Sequence, residues 1–308
     1  MNFDIEQVKK EIQPINFFRK QEYSGHVKEY FKFYGFHEGN VPHYSGTVNS
    51  GENSIYVHVY VPEHYTAVIF LLHGYQDHSG ILAPAIENFI NQKYAVVTYD
   101  MQGYGLSSGT RAGITDFSEY AKTLSDLLNE TQNHLHGPYH IAGHSMGCAV
   151  ILDYLFEHGI IPFEKVIFIA PLVKSRWWKL SRLGHLAAKK IIKKIPRKFR
   201  KDCGNKEFLK FYRNDPLQYR YVHLSWVRAL FKWNRRIKKS FTNYKPALVL
   251  QGQNDIIVDW DWNIKFLRKK LPNAKVIYLE TGNHQLLNEL PAVRERVFYF
   301  INSYLKQG

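Results

Sequence analysis

Cysteine is almost missing from this 308-residue chain, which has only Cys148 and Cys203. Two cysteines cannot build a disulfide framework, and no metal-ligand spacing surrounds them, so no metal is expected. Cys148 sits in an apolar stretch and reads as a small packing residue ahead of a functional thiol. Also missing is any run near the roughly 18 consecutive apolar residues that a membrane span needs. The first twenty residues mix charges where a signal peptide would be apolar. Internal repeats and low-complexity linkers are absent too. These gaps lead to the expectation of a cytoplasmic globular protein without a cofactor. Hydrophobic content of 45% and aromatic content of 15% supply a large core and argue against global disorder. The length suits one α/β domain carrying an insertion.

Acidic residues are scarce in one place. Residues 172–240 hold 22 Lys or Arg against Asp202, Glu207 and Asp215, whereas the rest of the chain is slightly acidic. The overall charge of +14 is therefore regional.

From about residue 54 the chain alternates β-rich runs with helical patterns, the signature of βαβ units. Strands are expected at 55–61, 67–72, 95–99, 139–142, 166–170, 247–251 and 275–279. Helices are expected at 84–92, 115–131, 146–157, 260–270 and 288–305. Continuous apolar runs such as 67–72 suit strands covered on both faces. Between 172 and 240 the rhythm breaks into a basic, aromatic, helix-like stretch with no clear strand. It is read as a helical cap inserted after strand six. The core is then 45–171 plus 241–308, preceded by an extension over 1–44 made of a helix and an edge strand.

Gly143-His144-Ser145-Met146-Gly147 fits G-x-S-x-G between an expected strand and an expected helix. The serine has to sit at the tip of a sharp turn so that its hydroxyl projects clear of the sheet. Glycines on either side remove side chains that would collide across that turn. The helix that follows favours developing negative charge at its N-terminus. A serine hydroxyl needs a base, and the base needs an orienter. Asp255 follows the strand at 247–251, and His284 follows the one at 275–279. Both fall at the sheet edge that holds the serine, where open α/β sheets place their ligands. Asp259 and Asp261 are the other candidate acids. Two backbone donors are needed for an oxyanion. Met146, directly after the serine, and Tyr75, in the loop after 67–72, are the candidates.

Three further stretches carry a resemblance. The loop His73-Gly74-Tyr75-Gln76-Asp77-His78-Ser79-Gly80 is similar to the H-G-x-x-[DE]-H-S-x loop of the monoacylglycerol lipase and lysophospholipase group of α/β-hydrolases (S33-like hydrolases). Residues 100–109, D-M-Q-G-Y-G-L-S-S-G, resemble that group's D-x-x-G-x-G-x-S-x-G turn. The run Leu250-Gln251-Gly252-Gln253-Asn254-Asp255 resembles its acid loop. The resemblance spans about 45–305, differs in carrying Gln285 after His284, and fades in the cap. It implies an α/β-hydrolase fold, a mostly parallel sheet with helices on both faces. It also implies hydrolysis of a fatty-acyl ester of glycerol or a lysophospholipid under a mobile cap. A broad carboxylesterase, or a silent scaffold that binds lipid or a partner, remains the alternative.

Within the cap, residues 185–200 interleave apolar and basic pairs, as in an amphipathic helix reaching Pro196. Leu172, Trp177 and Trp178 are candidate substrate contacts, and the tryptophans suit a lipid interface. Two readings stand for the charge: peripheral contact with the anionic inner face of a membrane, or a solvated helix face. Nucleic acid is not expected, since no binding motif accompanies the charge.

Overall fold

Apolar runs long enough to be covered on two faces dictate the centre of the molecule. In the computed structural model, which describes residues 3–17, 22–36, 41–178 and 192–307, they form one eight-stranded sheet. In chain order the elements begin with helices α1 (Ile5–Glu11) and α2 (Gly25–Tyr34), then strands β1 (His43–Ser50), β2 (Asn53–Tyr60) and β3 (Ala67–Leu72). There follow α3 (Ala83–Asn91), β4 (Tyr94–Tyr99), α4 (Ser118–Gln132), β5 (Tyr139–His144), α5 (Met146–His158) and β6 (Phe163–Ile169). The inserted region holds β7 (Lys194–Pro196), α6 (Lys206–Asn214), β8 (Tyr221–His223) and α7 (Leu224–Lys238). The chain then returns through β9 (Ala247–Gly252), α8 (Trp260–Lys270), β10 (Ala274–Leu279) and α9 (Pro291–Lys306).

Sheet order is β1-β2-β4-β3-β5-β6-β9-β10. Strands β1, β2 and β4 pair antiparallel, and the remaining neighbours pair parallel. This is the α/β-hydrolase arrangement. Because side chains alternate along a strand, β3 sends Val68, Phe70 and Leu72 to one core and Ala67, Ile69 and Leu71 to the other. Helices α4, α5, α7 and α8 cover the first face, whereas α1, α2, α3 and α9 cover the second.

Three expectations need correction. Residues 172–240 contain strands, since β7 and β8 pair antiparallel. The helix expected across 185–200 does not reach Pro196, because proline lacks an N–H and biases the residue before it toward extended backbone. The 185–191 part of that helix lies outside the described residues. The expected helix of 1–44 is two helices, with Asp4 and Ser24 accepting from the first-turn N–H groups as N-caps. Edge strand β1 starts within 1–44 and runs on to Ser50.

Core and insertion share their packing. Trp233 of α7 is 1% exposed and stacks on Phe117 beside α4 with centroids 5.2 Å apart. Arg236 of α7 holds Asp153 of α5 through two contacts of 2.8 and 2.6 Å. At the far side, buried His78 and Asp215 pair at 2.8 Å, and the Tyr34 hydroxyl donates to the same carboxylate. Among the described residues no helix is long and apolar enough to cross a membrane. Trp233→Ala is expected to cost about 3–5 kcal/mol in urea unfolding, as for other buried aromatic truncations. A cost below about 1 kcal/mol would mean that α7 is not part of the core.

Candidate active site

The turn from β5 into α5 places Ser145 at the carboxyl edge of the sheet, with φ +50° and ψ −106°. Such a backbone costs of order 1–3 kcal/mol for a residue with a Cβ, so the surroundings must impose it. A Cβ on Gly143 would lie 2.6 Å from the Gly147 carbonyl carbon, and one on Gly147 only 2.5 Å from the Leu72 carbonyl oxygen. Gly143 thus lets the helix fold back close to β5, and Gly147 lets it start close against β3. Hydrogen bonds from Ser145 N–H to Ile169 and from Leu172 N–H to the Ser145 carbonyl pin the tip on both sides.

His284 Nε2 lies 2.9 Å from Ser145 Oγ, and His284 Nδ1 lies 2.7 Å from Asp255 Oδ2. The other Asp255 oxygen accepts from the N–H groups of Ile257 and Val258, at 2.8 and 3.1 Å. Burial pushes the Asp255 carboxyl upward, but His284 and those two backbone donors outweigh it and hold its pKa below the ordinary value. For His284 the signs reverse. Burial alone would lower the imidazole, yet the Asp255 charge and hydrogen bond, helped by Asp202 and Asp77, raise it above the ordinary value. An imidazole so poised can take a proton from the Ser145 hydroxyl and keep it beside a fixed carboxylate. Asp259 and Asp261 do not reach it: Asp259 precedes the first turn of α8, and Asp261 pairs with Lys265 at 2.6 Å.

Loop 73–80 is set by His73 and Asp100. His73 Nε2 accepts from Met101 N–H at 2.9 Å, while the Asp100 carboxylate accepts from Ser79 and Leu106 N–H, each at 2.7 Å. Among the described residues no acceptor takes the backbone N–H of Tyr75 or Met146, so both are free for an oxyanion. The Tyr75 ring stacks on Trp226 of α7 at 3.6 Å between centroids.

Ser145 and His284 open into a cavity of about 770 Å³ between core and insertion. Leu172 and Trp177, two of the candidate substrate contacts, line it. Trp178 instead packs edge-on against Phe231, 4.6 Å between centroids. Cys148 is fully buried, its thiol donating to the Gly143 carbonyl at 2.9 Å. Sequence reasoning missed a polar chain along the cavity. Arg197 donates to Tyr212 at 2.7 Å, Tyr212 to Asp77 at 2.5 Å, and Asp77 faces His144 at 3.7 Å. His144 Nε2 then reaches the His284 carbonyl at 3.0 Å. Burial opposes ionisation of Asp77, but His144 and the Tyr212 hydroxyl hold its pKa far below the carboxylate range. Partners 135 residues apart leave no spacing signal. Among the described residues no group of His, Cys, Asp and Glu side chains is arranged to hold a metal ion.

The model of the family "Serine aminopeptidase, S33" matches residues 63–291. A monoglyceride lipase homolog of Monkeypox virus is 26% identical, over 83% of this chain and 96% of its own. The monoglyceride lipase of Homo sapiens is 28% identical, over 78% of this chain and 82% of its own. Among solved structures, a soluble variant of the monoglyceride lipase of Saccharomyces cerevisiae superimposes with a TM-score of 0.74 at 20% identity. The match covers 84% of this chain and 94% of that one, a likeness of fold.

Titration of the His284 imidazole, followed by NMR, is expected to have its midpoint above the ordinary value of about 6.5. In Asp255→Asn burial would prevail and the midpoint would fall. An unmoved midpoint would mean that the carboxylate is not what holds that proton.

Proposed function

The chain belongs to the serine aminopeptidase, S33 family of hydrolases, and we propose that it is a serine ester hydrolase acting on monoacyl lipids. The observation that carries this reading is the hydrogen-bonded run Ser145–His284–Asp255 opening into a largely apolar cavity. In it, Ser145 Oγ attacks the acyl carbonyl carbon as His284 Nε2 takes the hydroxyl proton. The carbonyl oxygen becomes an anion facing the N–H groups of Tyr75 and Met146. As the ester C–O bond breaks, His284 returns the proton to the leaving alcohol, and the acyl group stays on Ser145. Water then attacks the acyl carbon, His284 takes its proton and passes it to Ser145 Oγ, and the fatty acid departs. Asp255 stays ionised throughout and steadies the imidazolium.

Leu172, Leu230, Phe231 and Ile257 give the cavity apolar walls suited to one acyl chain, and Gln76, Asp77 and Arg197 give it a polar corner. A monoacylglycerol or a lysophospholipid has both parts. The described residues of the 172–240 insertion act as the cap over this cavity. Trp177 (51% exposed), Ile192 (44%) and Ile195 (40%) stand at the surface of the insertion, beside Lys193, Lys194, Lys198 and Arg200. Apolar side chains set among cations suit an anionic lipid surface, where each basic residue adds about 1 kcal/mol.

Ser145→Ala is expected to abolish hydrolysis of long-chain monoacylglycerols and lysophospholipids in a substrate screen. Unchanged turnover would sink the assignment, and a preference for short soluble esters would make the protein a carboxylesterase. Co-sedimentation with anionic vesicles at low salt is expected to exceed that with neutral ones and to weaken as salt rises. No binding at low salt would remove the membrane contact.

A further inference from the structure

The lining of the cavity beside Ser145 is of two kinds. Leu172, Leu230 and Phe231 are apolar, while Asp77, Arg197 and Tyr212 form a hydrogen-bonded polar corner whose charges act on Asp202. In that polar corner Arg197, Tyr212 and Asp77 satisfy one another: Arg197 donates to Tyr212, and Tyr212 to Asp77. Asp202 differs. It is 8% exposed, and its Oδ1 is buried without a hydrogen-bond partner among the described residues. Its backbone carbonyl, by contrast, accepts from both His284 and Gln285 N–H at 3.1 Å. Residue 202 is therefore tied by its own main chain to the loop that carries the imidazole, and its charge acts on that ring. Burial raises its pKa, with His284 and Arg197 pulling the other way, as expected of a carboxyl short of donors.

An unpaired buried acceptor is costly, and that cost is recovered when a ligand supplies the donor. The apolar walls take the acyl chain, which leaves the polar corner for the alcohol. His284 must deliver its proton to the ester oxygen of that alcohol, so the alcohol's other carbons lie near His284, where Asp202 is. Rotation about the last side-chain torsion, a soft one for aspartate, can present either oxygen to the cavity. We propose that Asp202 is a specificity-determining acceptor for a second hydroxyl of the leaving alcohol, favouring esters of polyhydric alcohols over those of simple ones. A glycerol unit offers such a hydroxyl, whereas an ethyl group offers none. The proposal rests on the hydrolase reading of Ser145 above.

The test compares monooleoylglycerol with ethyl oleate, two esters of one fatty acid, in the same detergent micelles. The readout is the ratio of their kcat/KM values for the wild type, Asp202→Ala and Asp202→Asn. Labelling of Ser145 by a fluorophosphonate checks that each variant has an assembled site. The wild type is expected to favour the glycerol ester. The ratio should fall about 10- to 100-fold in Asp202→Ala, the loss of one hydrogen bond to a charged acceptor. It should fall less in Asp202→Asn, which keeps the shape and one acceptor oxygen. A ratio unmoved in both variants overturns the proposal. So does an equal loss on both esters, which would reduce residue 202 to a prop for His284. If the wild type hydrolyses neither ester and its Ser145 is not labelled, the hydrolase reading falls first and this proposal with it.

Discussion

The backbone of Ser145, held at positive φ, is the constraint on which the rest depends. Nothing in a serine favours that conformation. It persists because Gly143 lacks the Cβ that would run into α5 and Gly147 the Cβ that would run into Leu72 of β3, and because hydrogen bonds to Ile169 and from Leu172 anchor the tip. Those anchors come from β6 and from the first residues beyond it. The insertion therefore starts at the point where the elbow is pinned, and its first residues line the cavity.

A second dependence is electrostatic. Four groups with strong mutual influence, Asp255, His284, Asp77 and Asp202, are nearly removed from water. Inside a low-dielectric region a charged group is costly without fixed partners, a cost that, among the described residues, Asp202 alone of the four bears. Asp255 has them from its own loop, and Asp77 has them from His144 and from Tyr212 of the insertion. The loop carrying His284 is also bound to the insertion, through the Asp202 carbonyl and through Glu289. The Glu289 carboxylate accepts from Gly204 on one side and from Asn283 on the other. The insertion and the loop carrying His284 are thus one hydrogen-bonded unit, so a substitution in the insertion can reach the imidazole from a distance.

Much of this was legible in the chain because it is written in local terms. The apolar run Ala67–Leu72 and the helix Trp260–Lys270 coincide with their observed elements. Ser145, Asp255 and His284 each follow a recognisable strand, so topology alone brings them to one edge. The insertion was harder to read. Lys194–Pro196 became a strand only because Tyr221–His223 was available to pair with it, a contact no local pattern announces. Trp178 turned toward Phe231 and Trp177 toward the cavity, although they are neighbours in sequence. Asp202 looked like one of three acids in a basic stretch, and only its place beside His284 sets it apart.

The central claim is that Ser145 carries the acyl group during turnover. Rapid mixing with the p-nitrophenyl ester of a long-chain fatty acid, followed by acid quench and peptide mass spectrometry, tests it directly. The expected outcome is a burst of p-nitrophenol close to one equivalent per active site. With it should come a mass increase, equal to the acyl group, on the peptide containing Ser145. A linear time course with no adduct would fit fast deacylation, and a less electrophilic acyl group, such as a carbamoyl group, slows the attack of water enough to trap the adduct. An adduct on any other residue, or hydrolysis surviving in Ser145→Ala, would contradict the claim outright.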